Sequence, residues 1–409
     1  MIHRLYDRER DQKDCHRIWR EVGWIDKDQG TIMDTFLVGC RVLVGDLNGR
    51  PESLAVSSPG SLRYLEEDLS FCAVCGVTTG YAGRKQGLAG RLTAELIALD
   101  AAEGALVAGL GMFEQGYYDK LGFGTGPYES WIGLDPSSLK IDIHPPAPIR
   151  LTKDDYALVH RSRLRRLQVH GNTTLFREEL THAEMEWSKK GFGLGYMDPD
   201  GENLSHHFWC GHVEGENGPY SVSWMSYTDY FQFLELLALI RNLGDQVSLI
   251  RLNEPVAIQI QDLIRTPFRH LRKTKKSKFE TSHRALAYWQ IRICDLEKCM
   301  ARTFLPWGSV SFNLEIADPI EEYLEKDAPW RGITGSYTVT LGPESRAEKG
   351  HQSGLPVLEA SVGAFTRMWF GVRPASGLAV TDDLAGPEKL LKQLDEVLRL
   401  PTPSNDWEY

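Results

Sequence analysis

The sequence predicts an α/β (α+β) chain of three successive units, and three observations carry that reading. The stretch Val74–Gly90, VCGVTTGYAGRKQGLAG, is an apolar, β-branched run, then a Gly-bearing turn, then the start of an amphipathic helix. From about residue 150 the chain repeats the plan of its first part (two helices, strands, a helix, a strand) without a second such turn. Between them, Ile141–Ile149 contains HPPAP, a proline-rich stretch of linker character. The units are drawn at residues 1–142, 149–288 and 289–409.

Within the first unit, His3–Tyr6 is expected as an opening strand. Asp11–Val22 is expected as a helix with Cys15, Ile18, Trp19 and Val22 on one face, and a second helix as Thr31–Val38. Arg41–Leu47 alternates as a strand, and Asn48-Gly49 is a hairpin signal returning through Ser53–Ser57. Ser57–Gly60 is expected to turn, and Tyr64–Thr79 to enter the strand before the Gly-bearing turn. The helix runs from about Leu88 to Ala102 with Leu88, Leu92, Leu96 and Leu99 apolar, and Leu106–Phe113 is the next strand. Gly116–Gly124, GYYDKLGFG, reads as a short helix closed by glycine.

In the second unit, helices are expected at Asp154–Gln168, Arg177–Lys190 and Tyr230–Asn242, and strands at Gly193–Met197, His206–Val213, Ser221–Tyr227 and Val247–Arg251. Gly191-x-Gly193-x-Gly195 opens no helix, so a dinucleotide reading fails. In the third unit, Ala287–Ile293, Val310–Ile316 and Ser336–Leu341 read as strands, and Leu296–Phe304 and Pro387–Leu398 as helices. Ser361–Phe370 reads as either type. The ending PTPSNDWEY carries Trp407 and Tyr409, which gain by burial, so the tail is expected to be docked.

The 409 residues are 42% apolar and 25% charged, ordinary for a globular protein. No eighteen-residue apolar run predicts a membrane span, and the charged start MIHRLYDRER lacks a signal-peptide core, so a cytoplasmic protein is expected. Seven scattered cysteines fit a reduced compartment. Cys72-x-x-Cys75 lies inside a strand without a matching pair, so a buried thiol pair is expected rather than zinc, and no metal site is. A net charge of −10 argues against nucleic acid and permits a cationic substrate. Arg269–Lys278, with six Lys/Arg in ten residues, reads as a solvated loop or helix end.

A strand, a Gly-bearing turn and a helix start present free N–H groups and the positive end of a helix dipole, a site for a pyrophosphate. Arg84, Lys85 and Gln86 flank it, Gly87 lets the backbone approach, and small Ala89 does the same in the first helical turn. Arg84-x-x-Gly87-x-Ala89 followed by Tyr-Tyr-Asp-Lys-Leu-Gly-Phe resembles the GCN5-related N-acetyltransferase family. Two such halves, the second degenerate, followed by a sterol-carrier-like domain resemble the Eis (enhanced intracellular survival) family.

The resemblance implies acetyl-CoA as co-substrate. Its pyrophosphate would lie on Arg84, Lys85, Gln86, Gly87, Leu88, Ala89 and Gly90, and its pantetheine arm along Val77, Thr78 and Thr79. It implies Tyr118 as general acid, with Tyr117 as the neighbouring alternative, and the terminal carboxylate of Tyr409 as base. Glu408 would face the acceptor, and Trp24 and Asp26, between the first two helices, would line its pocket. The acceptor is implied to be a primary amine on an aminoglycoside, a polyamine or lysine, and the assembly a homohexamer. Two rivals stand beside this reading: a binding protein holding an apolar ligand in the sterol-carrier-like domain, and an acyltransferase preferring longer acyl-CoA.

Overall fold

A computed structural model describes residues 2–188 and 190–409. β1 (Ile2–Leu5) leads to α1 (Arg8–Glu21), whose first turn is capped by Asp7 accepting from the Arg10 N–H. Cys15, Ile18 and Trp19 form the buried face of α1, and α2 (Gly30–Leu37) follows. β2 (Arg41–Leu47) and β3 (Arg50–Tyr64) are joined at Asn48-Gly49, both with positive φ as a type I′ turn requires.

The turn expected at Ser57–Gly60 does not form, and β3 continues through Pro59. Its pairing with β2 ends at Ser57, and another strand takes over that edge from Gly60. A proline lacking an N–H therefore falls in the gap between two partners, where no ladder bond is missed. β4 (Glu67–Thr79), α3 (Leu88–Ala102), β5 (Val107–Gly111) and β6 (Gly124–Thr125) complete the first part.

The middle of the chain holds β7 (Glu129–Leu134), β8 (Ile149–Leu151), α4 (Tyr156–Leu164), β9 (Thr173–Leu175), α5 (Glu178–Trp187) and β10 (Phe192–Met197). Then come β11 (Leu204–Val213), β12 (Tyr220–Ser226), α6 (Tyr230–Arg241), β13 (Ile250–Asn253), α7 (Pro267–Thr274) and β14 (Ser282–Leu286). Gly191, Gly193 and Gly195 lie in or beside β10, where side chains would meet Trp209, Leu151 and His207. They serve close sheet packing. The last part holds β15 (Trp289–Ile293), α8 (Leu296–Ala301), β16 (Val310–Ala317), β17 (Gly335–Leu341), β18 (Arg346–Lys349) and β19 (Val357–Ser361). α9 (Val362–Trp369), α10 (Ala375–Thr381), β20 (Leu384–Ala385) and α11 (Glu388–Val397) close it.

Two sheets repeat one plan. The first runs β1-β2-β3-β4-β5-β15-β6 with β9 on the free stretch of β3, and β4–β5 is its parallel pair. The second runs β8-β10-β11-β12-β13-β7-β14, with β12–β13 parallel. In each, the strand next to last belongs by sequence to the other half. β7 leaves the first half to pair with β13 and β14, and β15 enters the first sheet between β5 and β6. A third sheet, β18-β17-β16-β19-β20, follows.

Packing accordingly divides the chain into two units: residues 1–127, 169–175 and 287–409, and residues 128–168 and 176–286. These limits differ from the expected ones at 142, 149 and 289. The exchanged strands move the first limit to 127, and the last 123 residues pack in the same unit as the first sheet. One apolar core lies between α3 and the first sheet, another between α6 and the second. No helix among the described residues is long and apolar enough to cross a membrane.

Candidate functional site

The site begins where β4 and β5 part. Their parallel pairing runs from Phe71 opposite Val107 to Val74 opposite Leu110 and stops, while β4 continues to Thr79. The register against β3 shows the cause. Ser57 faces Val74 but Val56 faces Gly76, so Cys75 is an extra residue, a β-bulge that turns β4 away from β5. The main chain of 75–79 therefore lacks a strand on its β5 side, although β3 still holds the other. Val77 packs on the core beneath α3, and Ser53 Oγ contacts the Thr79 hydroxyl at 2.9 Å. The buried Thr78 hydroxyl has no hydrogen-bond partner among the described residues.

The turn that follows is tied to α1. The Tyr81 N–H donates to Glu21 (2.8 Å), and Glu21 and Glu52 both accept from Arg17 (2.8 and 2.9 Å). Burial alone would push the Glu21 carboxyl up, but the Tyr81 N–H and the Arg17 guanidinium outweigh it and hold the group low. Arg84 lies 4.9 Å over the Tyr81 ring, and Arg84, Lys85 and Gln86 are exposed. Lys85 and Gly87 both have positive φ, which swings the chain into α3.

α3 starts with no side-chain cap and no acidic residue in its first turn, and the space beside Gly87 is open. The first N–H groups of a helix have no partner within it, so this end is suited to an anion. Leu88 is buried in the core, Ala89 is half-buried, and Gly90 packs against the ring of Tyr323. The matching helix of the second sheet, α6, is capped instead: Asp229 accepts from the Gln232 N–H at 2.9 Å. A carboxylate there occupies the end where a diphosphate would sit and repels it.

Tyr118 precedes a 3₁₀ turn, Asp119–Leu121. It is 3% exposed and belongs to the core cluster that also holds Val74, Leu92 and Leu110, with Tyr117 and Phe113 against its ring. Burial, and next the nearness of Tyr117, push its pKa well up, so its hydroxyl keeps its proton at neutral pH. The inserted strand β15 holds this turn. Gln290 donates to Asp119 (2.7 Å), and Arg292 donates to the Leu121 carbonyl while paired with buried Asp318 at 2.5 Å.

The tail reaches the same sheet. The Tyr409 ring meets Phe71 edge-on (centroids 5.6 Å apart), and side chains at Gly109 and Gly111 would meet its hydroxyl and its main-chain oxygen at 2.7 and 3.4 Å. Two bare positions on β5 thus make room for the last residue next to the splayed strands. Trp407 is 1% exposed and Glu408 is exposed.

Trp24 and Asp26 lie between α1 and α2. Trp24 is 43% exposed and meets Trp19 edge-on at 5.3 Å, while the Asp26 N–H donates to Gln29 (2.7 Å). The structure thus joins Val77–Thr79, the 84–90 turn, Tyr118 and Tyr409 to one sheet and its helix, and sets Trp24 and Asp26 on the α1–α2 loop. Sequence reasoning missed Gln290 and Arg292, which carried no motif, and the segment 169–175, whose three-residue strand is too short for a periodic signal. Cys72 donates to Asp100 at 2.9 Å, and all seven cysteines are free.

No family model matches the sequence, and no curated protein matches it. Solved structures do share its fold. A protein from Enterococcus faecalis V583, described as a probable N-acyltransferase, superposes with a TM-score of 0.79 at 15% identity, covering 100% of this chain and 99% of that one. Eis1 from Mycobacterium abscessus gives 0.76 at 14%, and a GCN5-related N-acetyltransferase from Anabaena variabilis ATCC 29413 gives 0.75 at 12%, each with full coverage of both chains. The fold is that of the GCN5-related N-acetyltransferases.

Proposed function

We propose that the chain is an acetyl-CoA-dependent N-acetyltransferase acting on a primary amine. The observation that carries this is the succession of a splayed strand pair and an uncapped helix N-terminus in the first sheet, against a capped one in the second. Acetyl-CoA supplies the acetyl group as an activated thioester. The main-chain N–H groups of 84–90, with Arg84 and Lys85 beside them, are the groups to hold its diphosphate. The open edge of Val77, Thr78 and Thr79 offers main-chain bonds to the pantetheine arm. An N–H near Thr78 is the donor toward the carbonyl oxygen as it gains charge.

Tyr118, protonated at neutral pH, is the proton donor for the departing thiolate. The carboxylate of Tyr409 is the acceptor for the amine proton, directly or through water. A free α-carboxyl with a pKa of about 3.3–3.7 is a weak base, which favours the water route. Glu408, Trp24 and Asp26 are the acceptor contacts. The net charge of −10 suits a polycationic acceptor such as an aminoglycoside, a polyamine or a lysine-bearing chain. The last 121 residues are read as sterol-carrier-like, delivering the tail, and the protein as a cytoplasmic homohexamer.

The test is thiol release from acetyl-CoA across a panel of primary amines, with and without Tyr409. Amine-dependent release that falls at least about ten-fold on removing Tyr409 is the expected result. No amine-dependent release, together with no thermal shift at millimolar acetyl-CoA, overturns the proposal.

A further inference from the structure

Residues 169–175 come from between α4 and α5, yet they pack with the first sheet. β9 joins β3 opposite Gly60–Leu62, and there the segment meets the tail. The His170 carbonyl accepts from the Ser404 N–H (2.9 Å), and Asn172 Nδ2 donates to the Ser404 carbonyl (2.8 Å). Thr173 is fully buried. Its hydroxyl donates to Asn405 Oδ1 (2.8 Å), and its N–H to Asp406 Oδ1 (3.3 Å). Asn405 Oδ1 also accepts from the Trp407 N–H (3.4 Å), so one amide oxygen links the strand to the residue two before the chain end. Gly171, with φ +92, passes so close that a Cβ would lie 2.4 Å from Ser404 N.

The tail after residue 400 has no helix or strand of its own, so its order must come from the contacts it makes. Three consecutive tail residues, 404–406, are gripped from one short segment, 170–173, and the next fixed point is Tyr409 against Phe71 and Gly109. We infer that Asn172 and Thr173 are positioning residues that set the reach of Tyr409 onto β5, Asn172 through the Ser404 carbonyl and Thr173 through Asn405. This rests on the reading of Tyr409 as proton acceptor.

The experiment uses the full chain with Thr173→Val, which keeps shape and removes the hydroxyl, and Asn405→Ala, which removes its partner. Thr173→Ser is the conservative rescue. Two readouts are taken: kcat and KM in the thiol-release assay, and the rate at which carboxypeptidase frees Tyr409. The expected result for Val and Ala is a kcat lower by about ten-fold with KM for acetyl-CoA unchanged, since small misplacements of a reacting group cost that much or more. Release of Tyr409 should be faster, and Ser should restore both. In a background lacking Tyr409, Thr173→Val should cause no further loss. A tail still protected in Thr173→Val and Asn405→Ala, with kcat unchanged, overturns the positioning role and leaves the terminal-base reading intact. A freed tail with kcat unchanged overturns the terminal-base reading itself.

Discussion

Tyr118 and His170 are both buried, and burial does opposite things to them. Tyr118 is held neutral with its proton on, the form a proton donor requires. Tyr118→Phe keeps the ring packing, so kcat should fall about 10²-fold or more while the thermal shift given by acetyl-CoA stays as in wild type. Stopped turnover with a lost thermal shift would instead mean a folding defect. Tyr118 was singled out in the sequence because the Gly-Phe-Gly after it resembles the ending of the family's segment. Its support by Gln290 and Arg292 was not, since those residues lie about 170 positions away on a strand with no special pattern.

His170 Nδ1 accepts from the Leu65 N–H, so its Nε2 carries the proton and donates to the Phe370 carbonyl (both 3.1 Å). Burial lowers its pKa from 6.5 to about 4. As pH falls below 6.5, the unfolded chain takes up a proton that the native ring refuses. The stabilisation is therefore present above pH 6.5 and is lost as pH falls toward 4. His170→Gln should show a shallower fall in Tm across that window than wild type. A slope equal to the wild type's would remove His170 from the account.

At the level of elements, α3 and α6 occupy matching places in two sheets of one plan, and their first residues differ. Gly87 leaves the α3 amides bare, and Asp229 covers those of α6. Gly87→Asp should transfer the second sheet's cap to the first. With a helix-end charge effect of about 1 kcal/mol, KM for acetyl-CoA should rise about five-fold or more, and less at high salt. An unchanged KM would mean the diphosphate lies elsewhere. The helix from about Leu88 to Ala102 was readable from its apolar spacing. The length of β3 was not, because Pro59 is a turn signal in any sequence and its tolerance depends on which strands flank it.

For the molecule as a whole, the first 142 residues contain the helix end and Tyr118 but not β15. A fragment 1–142 therefore lacks the strand between β5 and β6, and it carries β7 without β13 and β14. It should show no cooperative thermal transition, whereas a fragment that folds cooperatively and binds acetyl-CoA would mean β15 is dispensable. The two repeated halves were visible in the order of helices and strands. The trade of one strand each way was hidden, because apolar alternation says that a strand exists and not which sheet receives it.

The trade also fixes a sequence of events during synthesis. The first sheet waits for residues 289–293, so more than two-thirds of the chain must leave the ribosome before β5 has its second neighbour and β6 joins the sheet. Until then the growing polypeptide carries a first sheet with an open slot between β5 and β6. A neighbouring nascent copy could supply the same strand, so crowded polysomes are where intertwined dimers of this chain would arise.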